Sequence, residues 1–194
     1  MKRELLIEKI LPAFIFLSLW LDGWFFPLLL LPFIYVTLVE RQNLSWLGFG
    51  RKEITRSIFL GTFATVFLIV VYYPIFLYYA GTQDYKSPTL TDLFTDIIWY
   101  PLYEEVAYRS FLLVHFTDFK ALSSQKNFLI NLLQSLLFLS IHRHHIISGM
   151  PLLLIPVFLL GFLNGFIFQR TRNIFGCLFS HMALNGFALF FRFS

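Results

Sequence analysis

Long apolar runs alternate with short polar breaks along the chain. Ile10 to Val39 is apolar except for Asp22 and Gly23 near its centre. Ser57 to Ala80 follows as a clean span containing Pro74, which removes a backbone donor and predicts a kink. A segment from a Thr91 or Asp92 cap to about Phe116 comes next, then Phe128 to His142, Pro151 to Phe168 and Ile174 to Phe190. As one straight helix, Ile10 to Val39 would measure ~45 Å, well beyond a hydrocarbon core of ~30 Å. The preferred reading is a helical hairpin turning at Asp22-Gly23, and the alternative is one long tilted helix. Lys2, Arg3 and Lys9 precede this stretch, while Arg41, Arg51, Lys52 and Arg56 follow it. Only an even number of crossings keeps both groups on one side, as the positive-inside rule asks. The loop around Asp84 and Lys86 then falls outside, and Asp118 to Asn127, with Lys120 and Lys126, falls in the cytoplasm. The pattern predicts an all-α polytopic transmembrane bundle of about seven helices, within a range of six to eight, with its N-terminus inside.

Composition narrows this picture. The 194 residues are 58% hydrophobic and 13% charged, and mean hydropathy is +0.71. Soluble domains carry roughly a quarter charged residues, so a water-soluble globule is excluded. The chain reads as one integral-membrane domain spanning 1–194, a multi-pass protein of the cell membrane whose first partner is the lipid bilayer. A net charge of +4 raises the question of nucleic acid, but the Lys and Arg residues are scattered between apolar spans and form no stripe. Topology accounts for the excess, and no nucleic-acid partner is expected. One cysteine, Cys177, builds neither a disulfide framework nor a CxxC site. Lys2 and Arg3 before an apolar stretch resemble a secretory signal, yet the stretch passes Asp22 without a small-residue cleavage site, so the N-terminus is read as mature structure. No pattern specifies an oligomeric state.

Ionisable groups inside apolar spans are functional candidates by default. In Tyr100-Pro-Leu-Tyr-Glu-Glu-Val-Ala-Tyr-Arg109, Glu105 shares a helix face with Arg109 four residues on, whereas Glu104 is turned ~100° away, one turn from Tyr100 and Tyr108. An intrahelical pair between Glu105 and Arg109 leaves Glu104 as the unpaired carboxylate. His142 ends the Phe128 run, four residues after Phe138. His181 and Asn185 lie at i and i+4 on the last span, so both can donate to one oxygen atom. A water activator with two donors is the minimum kit for hydrolysing an amide. Each piece also has a structural explanation: Glu105 with Arg109 as a helix pair, His142 as an interfacial residue, His181 with Asn185 as interhelical glue. Asp22 reads as a turn residue. His115, His144 and His145 read as solvated at interfaces, and Arg143 disfavours a metal tract at His142 to His145. Gly161 and Gly165 form a small-xxx-small pair for close packing.

In chain order, Glu104-Glu105-x-x-x-Arg109, Phe138-x-x-x-His142 and His181-x-x-x-Asn185 resemble the signature of the CPBP family. That family groups CAAX prenyl proteases of the Rce1 type with bacteriocin-processing and self-immunity (Abi) proteins. The resemblance covers the C-terminal half, a protease core of about 92–192. It implies an intramembrane peptidase of the glutamic type, in which Glu104 and His142 activate water, His181 and Asn185 form the oxyanion hole, and Glu105 and Arg109 support them. The implied substrate is membrane-associated: a CAAX-type tail, a leader peptide or a membrane-anchored protein. No cofactor is expected, since HExxH is absent, although Glu104, His142 and His181 are an alternative zinc set. A shared site needs Glu104 and His142 at one depth, either through an earlier start of the Phe128 helix or through a water-filled cavity. The cavity is the favoured expectation. A non-enzymatic immunity or scaffold protein and a proton-coupled transporter are the rival functions, separable from a protease by whether the four residues meet in one pocket.

Overall fold

A computed structural model describes residues 9–21, 26–80, 87–117, 119–120 and 125–192. Among the described residues the chain is helical and has no strand. Seven longer helices and one short one follow in order: α1 (Leu11–Leu21), α2 (26–39), α3 (Ile54–Tyr79), α4 (90–116), α5 (Gln125–Ile141), α6 (His144–Ile147), α7 (Leu154–Thr171) and α8 (Phe175–Arg192). Two of them, over Ile54–Tyr79 and Pro151–Thr171, are long and apolar enough to cross a membrane. Lys2, Arg3, Asp22, Gly23, Asp84, Lys86 and Asp118, which carry several topological expectations, lie outside the described residues.

The path of the first apolar stretch follows from its contacts with α4. Tyr103 donates its hydroxyl to the Leu19 carbonyl at 3.3 Å, Phe16 meets Tyr108 edge to face, and Lys9 donates to the His115 carbonyl. α1 thus runs antiparallel to α4. On the return, Tyr35 packs on Phe111 and Glu40 reaches His115 Nε2 at 3.1 Å. Both ends of the stretch therefore lie beside His115, so α1 and α2 form the expected hairpin and a single long helix is ruled out. The same contacts correct the reading of His115 as solvated. It is buried, its Nδ1 lies 2.7 Å from the Phe111 carbonyl, and the rings of Tyr35, Trp46 and Phe111 surround it.

Two close helix crossings organise the core. Between α5 and α7, a Cβ on Gly165 would collide with Asn131 and Gln134, where Gln134 donates to Asn131 Oδ1 at 2.9 Å and to the Gly161 carbonyl at 2.8 Å. The small-xxx-small pair lets polar side chains satisfy each other and the facing backbone at close range. A second crossing, which sequence reading missed, joins α3 to α8. A Cβ on Gly61 would strike the Gly176 carbonyl, and Ser57 Oγ donates to the Asn173 carbonyl while accepting from Gly176 N, both at 3.0 Å. The signal is present in the chain: Ser57, Gly61, Ala64, Thr65 and Leu68 form a small-residue face of α3 and are all buried. The opposite face presents Phe59, Phe63, Val66, Val70 and Leu77, all exposed.

α4 is capped by Thr89 rather than by Thr91 or Asp92. Thr89 Oγ1 accepts from Asp92 N at 3.2 Å, and Asp92 Oδ2 accepts from Thr89 N at 2.8 Å, a reciprocal capping box. The helix then alternates between ordinary turns and wide i→i+5 turns at Thr95–Trp99 and Val106–Leu113. Such wide turns are frequent at functional sites. Here they flank Tyr100–Glu105, the short regular piece that carries both glutamates.

Candidate active site

α4 delivers Glu104 and Glu105 to different surroundings, as their helical offset predicts. Both are buried, at 3% and 0% exposure, and Arg109 is at 0%. Glu105 has partners on three helices: Oε1 accepts from His181 Nδ1 at 2.8 Å and from Asn164 Nδ2 at 3.1 Å, while Oε2 lies 3.3 Å from Arg109 Nε in a buried ion pair without a hydrogen bond. The Arg109 guanidinium lies 4.3 Å from the Phe138 ring centroid, a cation–π contact strengthened by desolvation. Three helices, α4, α7 and α8, therefore converge on one carboxylate.

Glu104 is held differently. Its Oε2 is buried without a hydrogen-bond partner and faces two imidazoles, His181 Nε2 at 3.6 Å and His142 Nε2 at 3.9 Å. The partners on the far side of each ring fix the tautomer, because a carbonyl or carboxylate can only accept. His142 Nδ1 donates to the Phe138 carbonyl at 2.9 Å, and His181 Nδ1 donates to Glu105. In the neutral state both rings therefore turn an Nε2 lone pair toward Glu104. Separations beyond 3.5 Å are those at which a bridging water is the natural partner. An oxygen ~2.8 Å from both Glu104 and His142 fits this gap, with an angle near ~90° at the oxygen.

One cavity of about 400 Å³ is lined by Glu104, His142, His181 and Asn185 together. The depth requirement is met in both ways foreseen: α5 starts at Gln125, earlier than Phe128, and the cavity reaches from Glu104 to His142. Asn185 is already engaged on one side, donating Nδ2–H to the Asp96 carbonyl at 2.7 Å; its second amide hydrogen remains for another acceptor. Tyr100 lines the cavity, whereas Tyr108 turns away into the core between Phe16 and Phe138. Glu104, His142 and His181 are the residues a zinc ion would need. Among the described residues, however, no group of three His, Cys, Asp or Glu side chains is arranged to hold a metal ion.

A family model described as type II CAAX prenyl endopeptidase, Rce1-like, matches residues 86–187. The chain belongs to this family. It is a family of peptidases, and its members are membrane proteins. The matched stretch contains Glu104, Glu105, Arg109, His142, His181 and Asn185, and leaves out α1 to α3. No curated protein and no solved structure matches the chain.

Several site residues escaped the sequence reading. Asn164 sits in an apolar run beside Gly165, one member of the small-residue packing pair. Its Nδ2 donates both to Glu105 and to the Cys177 carbonyl at 3.1 Å. Its signal was a lone amide in a span where an unsatisfied polar group is costly. Asp96, eight residues before Glu104, lines the cavity with Tyr100, which the helical spacing already sets one turn from Glu104. His144 and His145, read as solvated, stand at the cavity rim.

Proposed function

We propose that the protein is a multi-pass intramembrane endopeptidase that hydrolyses a peptide bond of a membrane-associated substrate without a metal ion. One observation carries the reading: an unpaired buried carboxylate and two correctly oriented imidazoles share a cavity with Asn185. Interhelical glue would spread these groups over separate interfaces, and a transporter would more naturally show related halves.

In the proposed reaction, water sits between Glu104 Oε2 and His142 Nε2. Glu104 takes a proton from it as the oxygen attacks the substrate carbonyl carbon. The negative charge passes to the carbonyl oxygen, which accepts from the free Asn185 amide hydrogen and from His181. Because Nδ1 of His181 is committed to Glu105, the ring donates through Nε2 only as an imidazolium. Glu105 offsets that charge, and Arg109 stands beside Glu105 as its counter-charge. Collapse of the tetrahedral intermediate breaks the C–N bond, and the proton held by Glu104 goes to the leaving nitrogen. The water is thereby divided into hydroxyl on the acyl product and hydrogen on the amine.

The membrane setting is supported by α3. It turns small residues inward and large apolar ones outward, the reverse of a soluble helix, and only 22% of its apolar window is buried. A core helix of a soluble protein would be mostly covered, whereas lipid tolerates such a face. The test is comparative proteomics of membrane peptides from cells carrying the wild-type chain or Glu104→Gln. Fragments that vanish with Glu104→Gln at equal amounts of folded protein are expected; identical fragment sets would remove the peptidase assignment.

A further inference from the structure

The two ends of the bundle differ in charge, and the cavity belongs to one of them. At one end lie the start of α1, the α2–α3 loop, the end of α4, the start of α5 and the α7–α8 turn. Contacts tie these segments together: Lys9 to the His115 carbonyl, Asn173 Nδ2 to the Gly50 and Lys52 carbonyls at 2.8 and 3.0 Å, and Gln169 Nε2 to the Asn127 carbonyl at 3.0 Å. Lys9, Arg41, Arg51, Lys52 and Arg56 lie here on the first three helices and their loops. Lys120, Lys126, Arg170 and Arg172 join them from the later ones, so that nine cations face the two carboxylates of Glu40 and Glu53 among the described residues of this end. The far end, where Leu152 N meets the Tyr79 hydroxyl at 3.3 Å, carries, among the described residues, Arg143 opposite Asp92 and Asp96.

Short loops rich in Lys and Arg stay in the cytoplasm, which places the first end there. The cavity lining runs the other way. From Glu104, Leu160 and His181 at its depth it extends to His144, His145 and Leu153 at the far end. Tyr72 and Leu189 lie in the far-end halves of α3 and α8, and none of the nine basic-end cations lines it.

We infer that the cavity opens on the non-cytoplasmic face, so that the substrate is a membrane-anchored peptide whose scissile bond is presented from the exported side. This rests on the peptidase reading for the word substrate, but the direction of opening stands on geometry and charge. A tail anchored on the cytoplasmic face would meet the basic end, whose own pocket beside Lys9, Glu40 and His115 contains neither Glu104 nor His142.

Thiol labelling in intact cells tests the direction without requiring activity. Cys177 is buried and gives a low background, Ser148 lies exposed at the far end and Gln42 exposed at the basic end. With a membrane-impermeant maleimide, Ser148→Cys should label in intact cells and Gln42→Cys only after permeabilisation. Labelling of Gln42→Cys in intact cells, or of Ser148→Cys only after permeabilisation, overturns the inference. Ile147→Cys and Leu44→Cys, also exposed, repeat the comparison where a first variant fails to accumulate. A second arm uses two reporters carrying one cleavable segment on opposite sides of an anchoring helix. Glu104-dependent cleavage of the exported reporter alone is expected, and cleavage of the cytoplasmic one overturns the inference. If neither is cut, the peptidase reading fails while the labelling result keeps its meaning.

Discussion

Replacing Gly61 with alanine tests whether the α3–α8 crossing positions the reaction centre. The new Cβ would lie 2.9 Å from the carbonyl carbon and 3.0 Å from the Cα of Gly176. Carbon atoms in ordinary contact sit ~3.5–4.0 Å apart, so the two helices must part by roughly 0.5–1 Å. Both clashing groups are backbone, which no rotamer change relieves. Overpacking of this kind costs about 1–3 kcal/mol. The displacement also travels: His181 follows Gly176 by five residues, or ~7.5 Å along the helix, and it faces Glu104 across 3.6 Å. A misplacement of ~1 Å in a reacting constellation can lower the rate ~10²-fold. Gly186 on the same helix is the control, because a Cβ there meets nothing within 4 Å among the described residues. Gly186→Ala should leave the unfolding temperature unchanged or raised, since alanine is favoured over glycine in helices by ~1 kcal/mol. Thermal unfolding in detergent and cleavage of an internally quenched, membrane-anchored peptide read both effects. If Gly61→Ala matches Gly186→Ala in stability and rate, the crossing does not set the site and the reasoning fails.

Other expectations follow from the charges around Glu105. Arg109→Met removes the cation beside a carboxylate with 0% exposure. Breaking such a pair costs about 3–5 kcal/mol, visible as a loss of folded protein on size-exclusion chromatography; wild-type yield would argue that Glu105 needs no cation. Asn164→Leu deletes a hydrogen bond to the same carboxylate. It should lower kcat by about ten- to a hundredfold with KM little changed, and an equal rise in KM instead would point to a role in substrate binding. Chelation by EDTA should leave cleavage intact, whereas loss of activity restored by zinc would favour the alternative set of Glu104, His142 and His181.

Much of the site was legible because helical offsets are rigid. Four residues separate Glu105 from Arg109 and His181 from Asn185, and one separates Glu104 from Glu105, so a single chain already shows which groups share a face. The hairpin was legible for a similar reason: a largely apolar stretch of 30 residues exceeds a bilayer as one helix, and Asp22-Gly23 offers a turn. What the chain withheld depends on neighbours distant in sequence. His115 looked like an interfacial residue because nothing local announces that Glu40, 75 positions earlier, returns beside it. Asn164 and the Gly61–Gly176 contact were hidden likewise, since an isolated amide or glycine in an apolar run acquires meaning only from the helix that crosses it. The wide turns of α4, which offset its faces around the glutamates, leave no mark in hydropathy.

The most direct test of the account is the cleavage rate of one quenched, membrane-anchored peptide by purified wild-type and Glu104→Gln protein at matched folded concentration. Positioned acid–base catalysis contributes ~10²–10⁴-fold, so the variant should be slower by at least ~10²-fold with substrate binding preserved. A Glu104→Gln protein that cleaves at the wild-type rate would contradict the claim that this carboxylate activates water.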